Sequence, residues 1–301
     1  MDNFLEKKET LMKFSIVIPN WNGQKLLEKN LPAVLAAGAD EIIIVDNGST
    51  DNSLQSIDSL ESPKIKVIKN QVNLGFARAA NQGVEAAKNE IAVLLNNDVV
   101  PEKDFLKPLV DDFHDDKLFA VSLNEPQWSW AKGKWVRGFV EHEPGSKSKT
   151  NHISFWANGG SGAFRKNIWE KLGGFDEIYK PFYWEDIDLS YRAWKRGYKI
   201  IWEPKAVVCH QHESTIGTHF SKKYIDFISQ RNQILFIWKN ITNFKMLFEH
   251  KMALGRKLLT QPKYWWPYLA ALSKLYLIFP RWFKEKAQQK VSDKTIFIQF
   301  K

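Results

Sequence analysis

Four short apolar runs, separated by stretches of helical periodicity, constrain this chain more than any other feature. "FSIVI" (14–18), "EIIIVD" (41–46), "KIKVIKN" (64–70) and "IAVLLN" (91–96) read as strands. Between them "QKLLEKNLPAVLAAG" (24–38), residues 51–60 and "GFARAANQGVEAAKN" (75–89) read as helices, the first closed by Gly38. "EIIIVD" is continuously apolar rather than alternating, as expected of a strand covered on both faces. Strands alternating with helices predict a parallel or mostly parallel sheet flanked by helices. At 301 residues the chain suits one large domain, or one domain with an appendage.

Further along, the pattern predicts a helix over 102–114 and a strand near 118–123. Residues 124–157 are rich in Trp, Gly and Lys without a long period, which predicts hairpins or a loop excursion. "SGAFRKNIWEKLGGFDE" (161–177) reads as a strand, a short helix and a Gly-Gly turn. "WEDIDLSYRAWKRG" (184–197) reads as a helix, and "KIIWEP" and "AVVCH" as two last short strands. Beyond 222 the chain is mostly helical. Cys209 is the only cysteine, which excludes an intramolecular disulfide and a cysteine-cluster zinc site. The first 13 residues are charged and lack an apolar segment, so no secretory signal is expected.

Several strands end in polar clusters, and each admits two readings. In "VDNGSTDNS" (45–53) Asp46 suits a hydrogen bond to a nucleotide lying across strand ends, or an Asx turn ahead of a helix cap. Asn73 and Gly75 precede a helix carrying Arg78 and Asn81, which suits an anion at a helix start or a simple glycine turn. Asn96, Asn97 and Asp98 close the fourth strand, and Asp98 is a hard oxygen ligand for Mg²⁺ or Mn²⁺ or part of a polar turn. Glu185 and Asp186 open a helix, where carboxylates relieve the helix dipole. They also sit among Phe182, Tyr183 and Trp184, a setting that makes a carboxylate basic enough to take a proton. Asp188 is expected to pair with Arg192 one turn on. His210 and His212 share a strand face, as a metal pair or as surface histidines. No GxGxxG or P-loop pattern is present.

Taken together, "SIVIPNWNG", "IIIVDNGSTD", "NLGFARAANQG", "LLNNDVVP", "GGSGAFRKNIWEKLGGFDE", "YWEDIDLSYRAWKRGYKI" and "VVCH" resemble the inverting family 2 glycosyltransferases of GT-A fold. The likeness is closest to bacterial rhamnosyltransferase-like enzymes of cell-surface polysaccharide, and it covers roughly residues 13–240. It implies a Rossmann-like mixed sheet flanked by helices as a catalytic domain over 1–221. The nucleotide half is about 13–123, the acceptor half about 124–221, and a mostly helical basic extension runs over 222–301. It implies a nucleotide-sugar donor held by Pro19, Asn20, Asp46, Asn73, Gly75, Arg78, Asn81, Asn96 and Asn97. A divalent cation, Mn²⁺ or Mg²⁺, would sit on Asp98 and His210. Asp186, with Glu185 beside it, would be the catalytic base, and Trp184 and Asp176 would shape the site for a glycan or lipid-linked acceptor. Asn96 departs from the family's DxD motif, since a carboxamide brings no charge. That departure leaves room for a sugar-nucleotide-binding protein of the same fold with little or no turnover.

The charge is uneven. The chain carries a net +9, and residues 215–301 hold 16 Lys and Arg against 4 Asp and Glu. The stretch "YWWPYLAALSKLYLIFPRWFKEK" (264–286) is interrupted by Pro267 and Lys274, and its apolar core is shorter than the roughly 20 residues of a spanning helix. Its flanking Lys and Arg fit a helix lying on an anionic membrane surface, or a helical pair packed on the body with a solvated basic face. The expected setting is cytoplasmic, peripheral on the inner face of the cell membrane, with no nucleic acid partner.

Overall fold

A computed structural model describes residues 12–210 and 220–300. The charged N-terminal stretch and His212, both singled out above, lie outside them. The predicted alternation is present: β1 (Phe14–Asn20), α1 (Gln24–Ala36), β2 (Glu41–Asp46), α2 (Ser53–Asp58), β3 (Ile65–Lys69), α3 (Phe76–Ala86) and β4 (Ile91–Leu95). Next come β5 (Val99–Pro101), α4 (Lys107–Asp112), β6 (Leu118–Asn124), the hairpin β7 (Ala131–Val136) and β8 (Phe139–Pro144), and the short β9 (His152–Ile153). β10 (Ser161–Arg165), α5 (Lys166–Leu172), α6 (Glu185–Lys195) and β11 (Lys199–His210) complete the sheet region. The C-terminal part is α7 (Lys222–Asn240), α8 (Phe244–Thr260), α9 (Trp265–Leu272), α10 (Leu275–Ala287) and α11 (Asp293–Ile298).

The main sheet runs β3-β2-β1-β4-β10-β6-β11-β5, with β9 paired to β11. β1 to β4 are mutually parallel, β10 runs antiparallel between β4 and β6, and β11 is parallel to β6. The sheet is therefore mixed. Alternate residues of the central strands serve opposite faces. Val17, Ile43, Val45 and Leu94 join the core under α3, α5 and α6, whereas Ile16, Ile42, Ile44 and Val93 join the one under α1 and α4. This two-sided burial is why these strands lack a polar face.

Two stretches differ from the sequence expectation for identifiable reasons. "KIIWEP" and "AVVCH" form one long strand, β11, because the register shifts between Glu203 and Val207, around Pro204, rather than ending there. Proline cannot donate to a ladder and is tolerated at such irregularities. Residues 99–101 form β5, antiparallel to the end of β11. The helix expected from 102 begins only at Lys107. α5 stops at Gly173, whose φ of +84° supplies the left-handed cap.

The C-terminal helices are built into the same core. Ile234, Leu235, Phe236 and Ile237 of α7 and Phe297 and Phe300 beyond it are buried with Phe155, Tyr191 and Trp194. α7 packs on α6 and β8, and α9 and α10 pack on α7.

Candidate functional site

The parallel strands direct their carboxyl ends to one edge of the sheet, where open α/β folds hold ligands. A cavity of about 570 Å³ opens there. Strand ends line it: Pro19 and Asn20 at the end of β1, Asn96, Asn97 and Asp98 after β4, and His210 at the end of β11. Gly159 and Gly160 before β10, Tyr183, and Glu185 and Asp186 at the start of α6 also line it. Asn73 and Gly75 line it as well.

Carboxamides fix the strand ends. Asn97 Nδ2 donates to Asn20 Oδ1 at 2.9 Å, and Asn30 Nδ2 donates to the Asn97 carbonyl at 2.8 Å. Asn47 Nδ2 donates to Asn73 Oδ1 at 2.9 Å, while its own Oδ1 accepts from the Leu74 amide at 3.0 Å. Gly75 follows with φ +87° and ψ 159°, a conformation essentially confined to glycine. Gly160 is needed for close approach, since a Cβ there would meet the Asn96 amide nitrogen at 2.4 Å.

Asp98 is buried at the floor. Its Oδ1 lies 3.1 Å from His210 Nε2 in an ionic contact. His210 Nδ1 lies 3.3 Å from Glu125 Oε1. Burial works against charge on this imidazole, but the two carboxylates outweigh it and hold its pKa up at about 10. Among the described residues no group of three or more His, Cys, Asp or Glu side chains is arranged to hold a metal. The donor set instead fits a hard cation that takes one or two protein ligands and completes its shell with phosphate oxygens.

In the same cavity, Asp186 Oδ2 accepts from the Gly159 amide at 3.3 Å and Oδ1 from the Ile187 amide at 2.8 Å. Burial raises the Asp186 pKa above the ordinary carboxylate value. Glu185 is pushed to about 8, by burial first and by the neighbouring Asp186 charge second. A buried pair that resists double ionisation suits proton transfer. The site thus combines a patch suited to a cation and phosphates with a basic carboxylate facing the same space.

Other residues singled out from the sequence have different surroundings. Asp46 is buried behind Asn20, accepting from its Nδ2 at 3.3 Å and from the Ser49 amide at 3.2 Å, as an Asx turn would. Arg78 is exposed and pairs with Glu177 at 3.4 Å. Asn81 donates to the Phe175 carbonyl and accepts from the Phe175 amide, both at 2.9 Å. Trp184 packs against Phe236. Asp176 pairs with Lys239 at 2.8 Å and Arg281 at 2.9 Å; burial opposes its charge, but those cations hold its pKa well below the usual range. Asp188 bonds Arg192 at 2.8 Å, as its spacing predicts. Sequence reasoning passed over Glu125, which accepts from Ser161 Oγ at 2.6 Å besides facing His210. Its signal was the same as that of Asp98, a carboxylate just past a strand, here β6.

Comparisons with known proteins agree with this geometry. A family model described as "Glycosyl transferase family 2" matches residues 15–172. The chain is 27% identical over 217 residues to a poly-beta-1,6-N-acetyl-D-glucosamine synthase of Staphylococcus aureus, covering 69% of this chain and 52% of that protein. It is 24% identical over 235 residues to the O-antigen chain rhamnosyltransferase RfbN of Salmonella typhimurium, covering 71% of each. The chain thus spans about half the length of the first of these relatives. Among solved structures, GalNAc-T7 with UDP, GalNAc and Mn²⁺ superposes with a TM-score of 0.65 at 19% identity, covering 79% of this chain and 49% of that one. The sheet with its flanking helices is a GT-A fold.

Proposed function

The chain belongs to glycosyltransferase family 2, and from that premise we propose that it transfers a sugar, with inversion, from a nucleotide-diphosphate sugar to a hydroxyl of a glycan or lipid-linked acceptor. The observation that carries this reading is the single cavity that Asp98, His210, Glu185 and Asp186 all line. The relatives' names, a polysaccharide synthase and an O-antigen rhamnosyltransferase, support a role in cell-surface polysaccharide synthesis.

In this reading Asn20, Asn73, Gly75, Asn96 and Asn97 hold the nucleotide and sugar by hydrogen bonds. Asp98 would hold a divalent cation, Mn²⁺ or Mg²⁺, which when bound neutralises charge developing on the diphosphate; His210 would join it only on giving up the proton that Asp98 and Glu125 now stabilise. Asp186 accepts the proton of the acceptor hydroxyl. That oxygen forms its bond to the anomeric carbon from the face opposite the diphosphate, and the carbon–oxygen bond to the diphosphate breaks. A single displacement of this kind inverts the anomeric centre. Glu185, protonated up to about pH 8, leaves one negative charge on the pair for the task.

One observation favours a second reading, a sugar-nucleotide-binding protein without turnover: Asn96, beside Asp98, carries no charge. A panel of sugar nucleotides incubated with Mn²⁺, with and without bacterial lipid extract as acceptor, separates the two by mass spectrometry. Release of a nucleoside diphosphate with formation of a glycosylated product is expected. Tight nucleotide binding with no donor consumed would favour the second reading.

The C-terminal helices support peripheral contact with an anionic membrane surface. Phe244, Phe248 and Met252, one turn apart on α8, are each at least 60% exposed, and Trp266, Tyr276 and Phe279 on the helices that follow are exposed as well. Lys and Arg dominate the surrounding charge, a pairing suited to lipid headgroups. Among the described residues no helix is long and apolar enough to cross a membrane. The full chain should sediment with phosphatidylglycerol vesicles and not with neutral phosphatidylcholine ones. Trp266→Glu with Phe279→Glu should abolish that binding; equal binding to both lipids, or retention by the variant, would count against this surface.

A further inference from the structure

Helix α7 reaches back to the turn that presents Glu185 and Asp186. Asn232 is wholly buried, and its Nδ2 donates to the carbonyls of Tyr179 at 2.7 Å, Phe182 at 2.9 Å and Tyr183 at 2.9 Å. Its Oδ1 accepts from Arg231 Nε at 3.0 Å and Nη2 at 2.8 Å. The same Arg231 Nη2 donates to the carbonyls of Tyr179, at 3.3 Å, and Lys180. The turn they grip is not in a conformation it would choose unaided. Tyr183 and Trp184 have φ of +71° and +78°, a left-handed region that aromatic residues rarely adopt. Such strain persists only where the surroundings over-determine it, and it clusters at active sites. Here the strained residues immediately precede the two carboxylates of the cavity.

We propose that Asn232, oriented by Arg231, is a positioning residue for acceptor deprotonation: it holds the Tyr183–Trp184 turn left-handed and thereby aims the Glu185 and Asp186 carboxylates into the cavity. This rests on the reading of Asp186 as the base. It also gives the C-terminal helices a part in catalysis, because α9 and α10 pack on the helix that bears the clamp. A displaced carboxylate lowers the rate of proton transfer without disturbing the nucleotide wall, which is built from other strands.

The test compares Asn232→Ala, Asn232→Ser and Arg231→Lys in the full chain. Turnover is measured with whichever sugar nucleotide the unaltered protein consumes, binding of UDP and GDP with Mn²⁺ by calorimetry, and local order by amide hydrogen exchange. Asn232→Ala should lower kcat roughly 10- to 100-fold, as a misplacement of about 1 Å does. Nucleotide affinity should hold, and exchange should quicken over 182–188 but not over 14–46. The Ser variant, which keeps one donor, should recover part of kcat, and Arg231→Lys should fall between. If the Ala variant does not fold, the other two carry the comparison. Unchanged kcat, or kcat and nucleotide affinity falling together with faster exchange across the whole sheet, would overturn the proposal. If the unaltered protein consumes no donor, the catalytic reading has failed, and the exchange pattern alone then decides whether the clamp exists.

Discussion

Replacing Asp186 with Asn should lower sugar transfer roughly 10²- to 10⁴-fold, the range a positioned general base contributes, while UDP or GDP still binds. The substitution is isosteric and keeps an oxygen for one of the two amides, Gly159 or Ile187, that now donate to separate oxygens of Asp186. What it removes is the basic lone pair and the charge. The loss should fall on kcat rather than on KM for the donor, since the nucleotide wall is formed by β1, β4 and the loops beside them. A thermal signature follows from the pair. Glu185 has a folded pKa of about 8 against an ordinary value of 4.5, so the folded state holds on to a proton that the unfolded chain has released. Its contribution to stability is fully present below the ordinary value and is lost as pH rises toward 8. Asp186→Asn removes the neighbouring charge that is the second cause of this shift. The melting temperature of the variant relative to the unaltered protein should therefore climb between about pH 5 and about pH 9. A variant with near-normal transfer would end the assignment of Asp186 as base.

Asp98→Asn should weaken cation-dependent nucleotide binding roughly 100-fold or more, beyond what loss of an outer-shell partner costs a metal site. EDTA should produce the same loss in the unaltered protein and little further change in the variant. Asp98 is the buried carboxylate among the strand ends, with its Oδ1 3.1 Å from His210 Nε2. The neutral Asn96 beside it cannot compensate. Calorimetry with UDP and GDP, with Mn²⁺ and with EDTA, makes the comparison. Nucleotide affinity indifferent to both changes would show that Asp98 serves the fold rather than a cation.

Much of this architecture was legible because β2 between its terminal Glu41 and Asp46, and β4 along its whole length, are continuously apolar, a pattern that two-sided burial explains. The cavity wall was legible for a related reason. Asn96, Asn97, Asp98 and His210 interrupt apolar strands, and in a sheet of parallel strands such interruptions gather at one edge. Helical residues were harder to assign. Arg78 and Asn81 lie one turn apart, yet periodicity does not say whether that face meets the cavity or the neighbouring chain, and the structure gives them Glu177 and Phe175 as partners. Glu125 was passed over because its partners, Ser161 and His210, come from strands distant in sequence. Asn232 left no local trace at all. A buried carboxamide in a helix resembles any other polar residue until the carbonyls it serves, at 179, 182 and 183, are known. Similarly, the basic composition of 215–301 drew attention to surface charge, while Lys239 and Arg281 in fact serve Asp176 and Asp188 inside the molecule.

The central claim is that a donor lies in this cavity with its diphosphate toward Asp98 and its anomeric carbon open to Asp186. A crystal structure of the full chain with Mn²⁺ and an intact sugar nucleotide, obtained with Asp186→Asn to prevent turnover, tests it most directly. The account predicts the cation between Asp98 and the diphosphate, and the far face of the anomeric carbon toward residue 186. A nucleotide bound outside the cavity, or a diphosphate seated against residues 185 and 186, would contradict it.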